Sequence, residues 1–212
     1  NVVEFGSGEG DLARALAGKG CQVTGVDRNA PKKQNKEAFE SFIRQDLNRP
    51  MPKQLLEGVD KLLMLDVIEH LVSPERFIDR LREDPSLSVN TKLLVSTGNV
   101  GFFITRLGLL TGMFNYGKRG ILDLTHTRLY TFTTIRRLFE QSGFEILETS
   151  GVPAPFPLAL GRGRLAWVLL MLNRVAIRIW PSLFAYQIFL RVRKRPTLRD
   201  LLDDVQKQPH NH

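Results

Sequence analysis

A single cysteine, Cys21, stands in a chain of 212 residues. That scarcity excludes a disulfide-stapled scaffold and fits a reducing, cytoplasmic setting; Cys21 reads as a small buried hydrophobe rather than a reactive thiol. No secretory leader is visible at the start, where residues 2–5, Val-Val-Glu-Phe, already read as a core strand. A domain that begins on its first strand leads us to expect a further segment ahead of Asn1. Internal repeats are absent. The longest apolar stretch, 165–190, is broken by Arg174, Arg178 and Pro181, and an Arg near the centre of a bilayer span is costly, so a spanning helix is not expected.

Acidic residues are outnumbered, 22 against 30 Lys and Arg, giving a net charge of +8 and a pI of about 9.9. Such a balance suits nucleic acid, an anionic membrane surface or anionic substrates. The basic residues gather late, at Arg162, Arg164, Arg174, Arg178, Arg191, Arg193, Lys194 and Arg195. They form either a solvated rim or a membrane-facing patch. Hydrophobic content of 42% and charged content of 25% are those of a folded domain with one sizeable core.

Hydrophobic periodicity predicts strands at 2–5, 21–26, 41–44, 60–65, 92–96, 144–149 and 184–192. Helices are expected at 11–18, at 32–40 as a short exposed one, from Ser73-Pro74 onward with Ser73 as N-cap, at 133–142 and at 164–179. Regular alternation of strand and helix means an α/β fold built on a doubly wound, mostly parallel sheet, with ligands at the carboxyl ends of the strands. Two apolar segments, about 100–122 and 164–183, are not needed to build that sheet. The domain is expected to span 1–195, followed by a polar tail, 196–212.

The informative segment is Glu4-Phe5-Gly6-Ser7-Gly8-Glu9-Gly10, between the first strand and the first helix. Gly6 and Gly8 let the backbone pass close to a ligand, and the helix start beyond favours negative charge. The spacing is G-x-G-x-G, not the G-x-G-x-x-G of nicotinamide folds, which argues against an oxidoreductase. Asp27 closes the second strand, where a carboxylate can accept both hydroxyls of a ribose. Asp46 closes the third, within reach of an adenine amino group. Either aspartate is also an acceptable turn or cap residue.

These residues resemble motif I and the later motifs of class I S-adenosylmethionine-dependent methyltransferases. Asp66-Val67-Ile68-Glu69-His70-Leu71 is similar to the branch containing ubiquinone-biosynthesis O-methyltransferases and related small-molecule and lipid enzymes. The resemblance covers roughly residues 1–150 and implies a seven-stranded Rossmann-like sheet with S-adenosylmethionine as cofactor. It further implies that Gly6, Ser7, Gly8 and Gly10 lie along the methionine moiety and that Glu4 meets its amino group. Asp27 would hold the ribose, Asp46 and Leu47 would flank the adenine, and Asp66 would border the methyl-transfer cavity. A non-catalytic S-adenosylmethionine-binding module of a larger protein is the alternative.

An oxygen acceptor must lose its proton, and a neutral imidazole suits that task near pH 7. The candidates are His70 and His126, the latter in Asp123-Leu124-Thr125-His126-Thr127-Arg128, a run similar to one in the same branch. His126 is otherwise a structural hub for the insertion, and Arg128 either binds an anionic acceptor group or pairs with Asp123. Asp66, Glu69 and His70 offer three metal-ligand types, but relatives carry Glu where this chain has Asp66. No metal is expected, and Glu69 reads as exposed at a helix start. Without an Asn-Pro-Pro-Tyr-like run after the fourth strand or an RNA-binding module, nucleic acid is not the expected acceptor. The apolar segments read as a cap over an apolar small-molecule acceptor, burying their own apolar faces. An added contact with an anionic membrane would be made by Arg119, Arg164, Arg174 and Arg178.

Overall fold

The computed structural model describes residues 1–161 and 163–197; Arg162 of the basic cluster and the expected tail from 198 onward lie outside the described residues. The expected architecture is present: a seven-stranded sheet ordered β3-β2-β1-β4-β5-β7-β6. Its strands are β1 (Val2–Phe5), β2 (Val23–Asp27), β3 (Ser41–Arg44), β4 (Lys61–Leu65), β5 (Lys92–Gly98), β6 (Phe144–Val152) and β7 (Gln187–Lys194). Strands β1 to β5 pair in parallel, and β7 enters antiparallel between β5 and β6. All four residues of β1 are buried, as a central strand covered on both faces requires. Phe5, Leu62, Met64, Leu93, Leu190 and Val192 carry the core toward α2 (Pro74–Glu83) and α4 (Phe132–Gln141) through Phe77, Ile78, Ile135 and Phe139. On the other face α1 (Asp11–Ala17) buries Ala13 against Val2, Val23 and Leu63, with Cys21 packed at the edge.

Several elements differ from expectation for local reasons. The segment expected at 32–40 is a 3-10 helix, Lys33–Ala38, and is not wholly exposed: Asn35 is buried, donating to the Glu9 carbonyl (2.9 Å) and Asp11 Oδ1 (2.8 Å). It therefore braces the glycine loop. Ser73 makes no side-chain cap on α2, whose start rests on Pro74. Pro181 also opens a helical turn, α7 (Pro181–Phe184), so β7 begins at Gln187 rather than 184.

The apolar segments form α3 (Phe103–Leu110), a short α5 (Phe156–Leu160) and α6 (Arg164–Ile179). They bury only part of their apolar surface, through residues such as Phe102 and Ile121. Helix α3 has no buried residue, and α6 buries only Ala166 and Asn173. Helix α6 packs on α5 and α7, and its far side and the outer side of α3 are exposed among the described residues. Among the described residues, no helix is long and apolar enough to cross a membrane.

Candidate active site

The strand ends converge on a cavity of about 350 Å³ whose wall includes Gly6, Asp27, Arg28, Gln45, Asp46, Leu47, Asn48, Asp66, Val67 and His70. Glycine is required at its first turn. Gly6 has φ +66°, and a Cβ there would sit 2.5 Å from Val67 Cγ2. Gly8 has φ +52°, where a Cβ would make only an ordinary contact, 3.9 Å from the Gly6 carbonyl oxygen, and its N–H donates to Asp27 Oδ2 (2.9 Å). Ser7 is buried beside them and Gly10 begins α1 against Phe39 and Asn35. Glu4, Ser7, Gly8 and Gly10 are therefore next to the cavity in sequence but outside its wall.

Asp27 ends β2. Its Oδ1 accepts the Asn29 N–H (2.7 Å), so both carboxylate oxygens are oriented, and each retains a lone pair for a further donor. Asp46 likewise caps a turn, accepting from the backbone N–H and the side chain of Asn48 at 3.0 Å each. Those bonds, the backbone one foremost, hold its carboxyl below the usual range. The turn reading and the ligand reading are compatible for both aspartates. Arg80 fixes the same loop by donating to the Leu47 carbonyl (3.0 Å).

Asp66 follows β4 with φ +54°, an uncommon conformation for a residue with a side chain and one that gathers at functional sites. Its carboxylate receives Ser96 Oγ (3.0 Å) and both oxygens receive Gln187 Nε2 (2.9 and 2.8 Å). Beyond Asp66 lies a second cavity of about 250 Å³, lined among others by Glu69, His70, Ile121, His126, Tyr186 and Gln187. Asp66 and His70 belong to both walls.

The two imidazoles stack edge to face with centroids 4.8 Å apart. His70 Nδ1 lies 3.2 Å from the Thr125 carbonyl and 3.2 Å from Thr125 Oγ1, whose own proton goes to Asp123 Oδ1 (2.6 Å). His126 Nδ1 lies 2.9 Å from the Ile121 carbonyl. Every Nδ1 neighbour is an acceptor, which assigns the proton to Nδ1 and leaves Nε2 with its lone pair. Arg128 pairs with Glu75 on α2 rather than Asp123.

Glu69 is not exposed. It is 2% accessible, its Oε2 has no partner, and burial, reinforced by Asp66, pushes its carboxyl up to about 7. Its 3-10 turn, Ile68–His70, folds inward, and its carbonyl accepts the Thr127 and Arg128 N–H groups. Glu4 is in a similar state, about 7, from burial first and Asp27 second, also with an unpartnered Oε2. Among the described residues no three His, Cys, Asp or Glu side chains are grouped to hold a metal ion. Gln187 and Tyr186 were missed by sequence reasoning. Gln187 meets Asp66 across 121 positions, and no local signal in the sequence marks it.

The fold and site define a Rossmann-like, class I methyltransferase: this strand order, a glycine turn after β1 and a carboxylate closing β2. Residues 1–149 match the methyltransferase domain family, and the chain belongs to it. No curated protein matches the chain. Among solved structures it is similar to the small RNA methyltransferase HEN1 (18% identity, TM-score 0.59), spanning 92% of this chain but 23% of that one. It is also similar to magnesium protoporphyrin IX methyltransferase from Synechocystis PCC 6803 with bound SAH (20%, TM-score 0.56, 91% and 73%). A third is a SAM-dependent methyltransferase from Archaeoglobus fulgidus (15%, TM-score 0.57, 92% and 85%).

Proposed function

We propose that the chain uses S-adenosylmethionine to methylate an oxygen of a small, largely apolar acceptor, lipid-like, quinone-like or glycan-linked, on the cytoplasmic side of the cell. The observation that carries this reading is the meeting of two cavities at Asp66 and His70. The first fits the cofactor. The spare lone pairs of Asp27 suit ribose hydroxyls and the Asp46–Leu47 loop suits adenine, while Glu4, behind the wall two residues before Gly6, keeps a buried, unpartnered Oε2 that suits an ammonium group. The second has room for an acceptor beside two imidazoles. The similarity of Asp66–Leu71 and Asp123–Arg128 to the ubiquinone-biosynthesis O-methyltransferase branch supports the same reaction class.

The cofactor, when bound, supplies an activated methyl group on a sulfonium for in-line displacement. The chain supplies alignment and proton removal. Asp66, locked by Ser96 and Gln187, fixes the boundary between the cavities. Nε2 of His126 takes the acceptor hydroxyl proton, and His70 braces that ring from the cofactor side. The test is transfer of labelled methyl from S-adenosylmethionine into lipid, quinone and glycan extracts, with His126→Ala expected to lower turnover by about 10²-fold or more. Cofactor binding with no labelled product in any extract would instead make the chain a non-catalytic module.

A further inference from the structure

We infer that the outer faces of α3 and α6 form a docking surface for an anionic lipid bilayer, lying flat on it and opening the acceptor cavity toward it. This adds a partner to the proposed methyl transfer and rests on that reading only for the direction from which the acceptor arrives.

The orientation of α6 is fixed. Ala166, Leu169, Leu170, Asn173, Ala176 and Ile177 recur at helical spacing on its inner side. Asn173 fastens it, accepting the Ala154 N–H (3.0 Å) and donating to the Phe184 carbonyl (2.9 Å). The opposite side presents Leu165, Val168, Met171, Leu172, Val175 and Ile179, all exposed, Ile179 to 80%. Helix α3 is tied to the same body. Arg106 donates to the Ser182 carbonyl of α7 (3.5 Å), and Phe103 packs on Phe184 with centroids 5.9 Å apart. Its outward residues are Ile104, Leu107 and Leu110, the last 82% exposed. Apolar side chains on this scale are held outward by hydrogen bonds, not left out by fraying, and a monomer does not ordinarily tolerate so large a patch.

Charge selects the occupant. No Asp or Glu occurs between Asp84 and Asp123, or between Glu148 and Asp200. The fringe carries Lys118, Arg119, Arg164, Arg174 and Arg178, and among the described residues none of these is in an ion pair. An apolar face with a cation-only fringe is the pattern of an in-plane helix on anionic lipid. A second copy on the same face would meet its arginines with no carboxylate opposite, which disfavours self-pairing. Both tryptophans of the chain, Trp167 and Trp180, are exposed here, the residue type that prefers the headgroup boundary. Arg119, Gly120 and Ile121, in the segment that joins α3 to α4, line the acceptor cavity, so an acceptor dissolved in the bilayer would reach it from the side of that face.

The experiment is flotation of the full chain with vesicles of phosphatidylcholine alone and with phosphatidylglycerol added, reading Trp167 and Trp180 fluorescence alongside. Expected are binding to the anionic vesicles with a blue shift, weakening in high salt, and an at least about tenfold loss of vesicle affinity in Arg174→Glu/Arg178→Glu. Leu172→Glu should weaken binding too, and Arg174→Lys/Arg178→Lys should keep it. Absence of binding, full binding by the Glu double variant, or a concentration-dependent dimer abolished by Leu172→Glu with vesicles ignored would each overturn the inference. S-adenosylmethionine titrations on the same folded variants report the methyltransferase reading separately and should be unchanged.

Discussion

In the proposed reading Asp27 serves the loop and the ligand with one carboxylate. Oδ2 restrains Gly8 and Oδ1 restrains Asn29, which leaves one lone pair on each oxygen for the proposed ribose hydroxyls. Charge-assisted hydrogen bonds contribute roughly 1.5–3 kcal/mol each. We therefore expect Asp27→Ala to weaken S-adenosylmethionine about 10- to 100-fold by calorimetry, and unchanged affinity would remove the ribose assignment. Glu4 gives a second, sharper test. Its carboxyl is held at about 7, burial being the main cause. An ammonium group placed beside it stabilises the carboxylate and lowers that value. Cofactor binding near pH 7 should thus expel a proton, visible as a binding enthalpy that changes with the ionisation heat of the buffer. Glu4→Gln should abolish that dependence while leaving the chain folded.

At the scale of elements, the site is a contact between two turns: the glycine turn after β1 and the 3-10 turn after β4 touch through Gly6 and Val67. Gly6→Ala places a methyl at 2.5 Å from Val67 Cγ2 on a backbone with φ +66°. Overpacking and conformational strain each cost about 1–3 kcal/mol. Urea denaturation should show that loss, and adding Val67→Ala should recover the packing part but not the strain, giving a clear coupling in the double-mutant cycle. The sequence made these turns legible because glycine spacing and strand-ending aspartates are local signals. The central strands were legible because doubly covered strands are continuous apolar runs. The inward fold of Glu69 was not legible, since a carboxylate two residues past a strand reads as solvated. Nor was the Asp66–Gln187 bond, which depends on where β7 enters the sheet. The outward apolar faces of α3 and α6 were read as buried because periodicity reports that a face exists, not which side has a neighbour.

For the whole molecule, the two enclosed carboxyls set how stability follows pH. Glu4 and Glu69 are both raised from 4.5 to about 7 in the folded chain. A carboxyl whose folded value exceeds its unfolded one binds its proton more tightly when folded. The stability it contributes is full below about 4.5 and is lost as pH rises through about 7. The lowered carboxyls Asp46, Asp60, Glu75 and Asp123 act oppositely, but their share is lost only on acidification below the ordinary carboxylate range. Between those limits the two glutamates govern, so Tm should fall steadily from about pH 5 to about pH 8. Both are raised to the same value, so the two contribute comparable shares, each on the order of 3 kcal/mol. Glu69→Gln should remove about half of the slope, because an amide keeps the shape and never ionises. Saturating S-adenosylmethionine should flatten the share belonging to Glu4 alone, by giving its carboxylate a partner, and should leave that of Glu69 in place. A Tm that stays level across the range in the parent chain would mean that neither carboxyl is as dry as its unpartnered Oε2 indicates, and the fit of an ammonium group beside Glu4 would lose its physical basis.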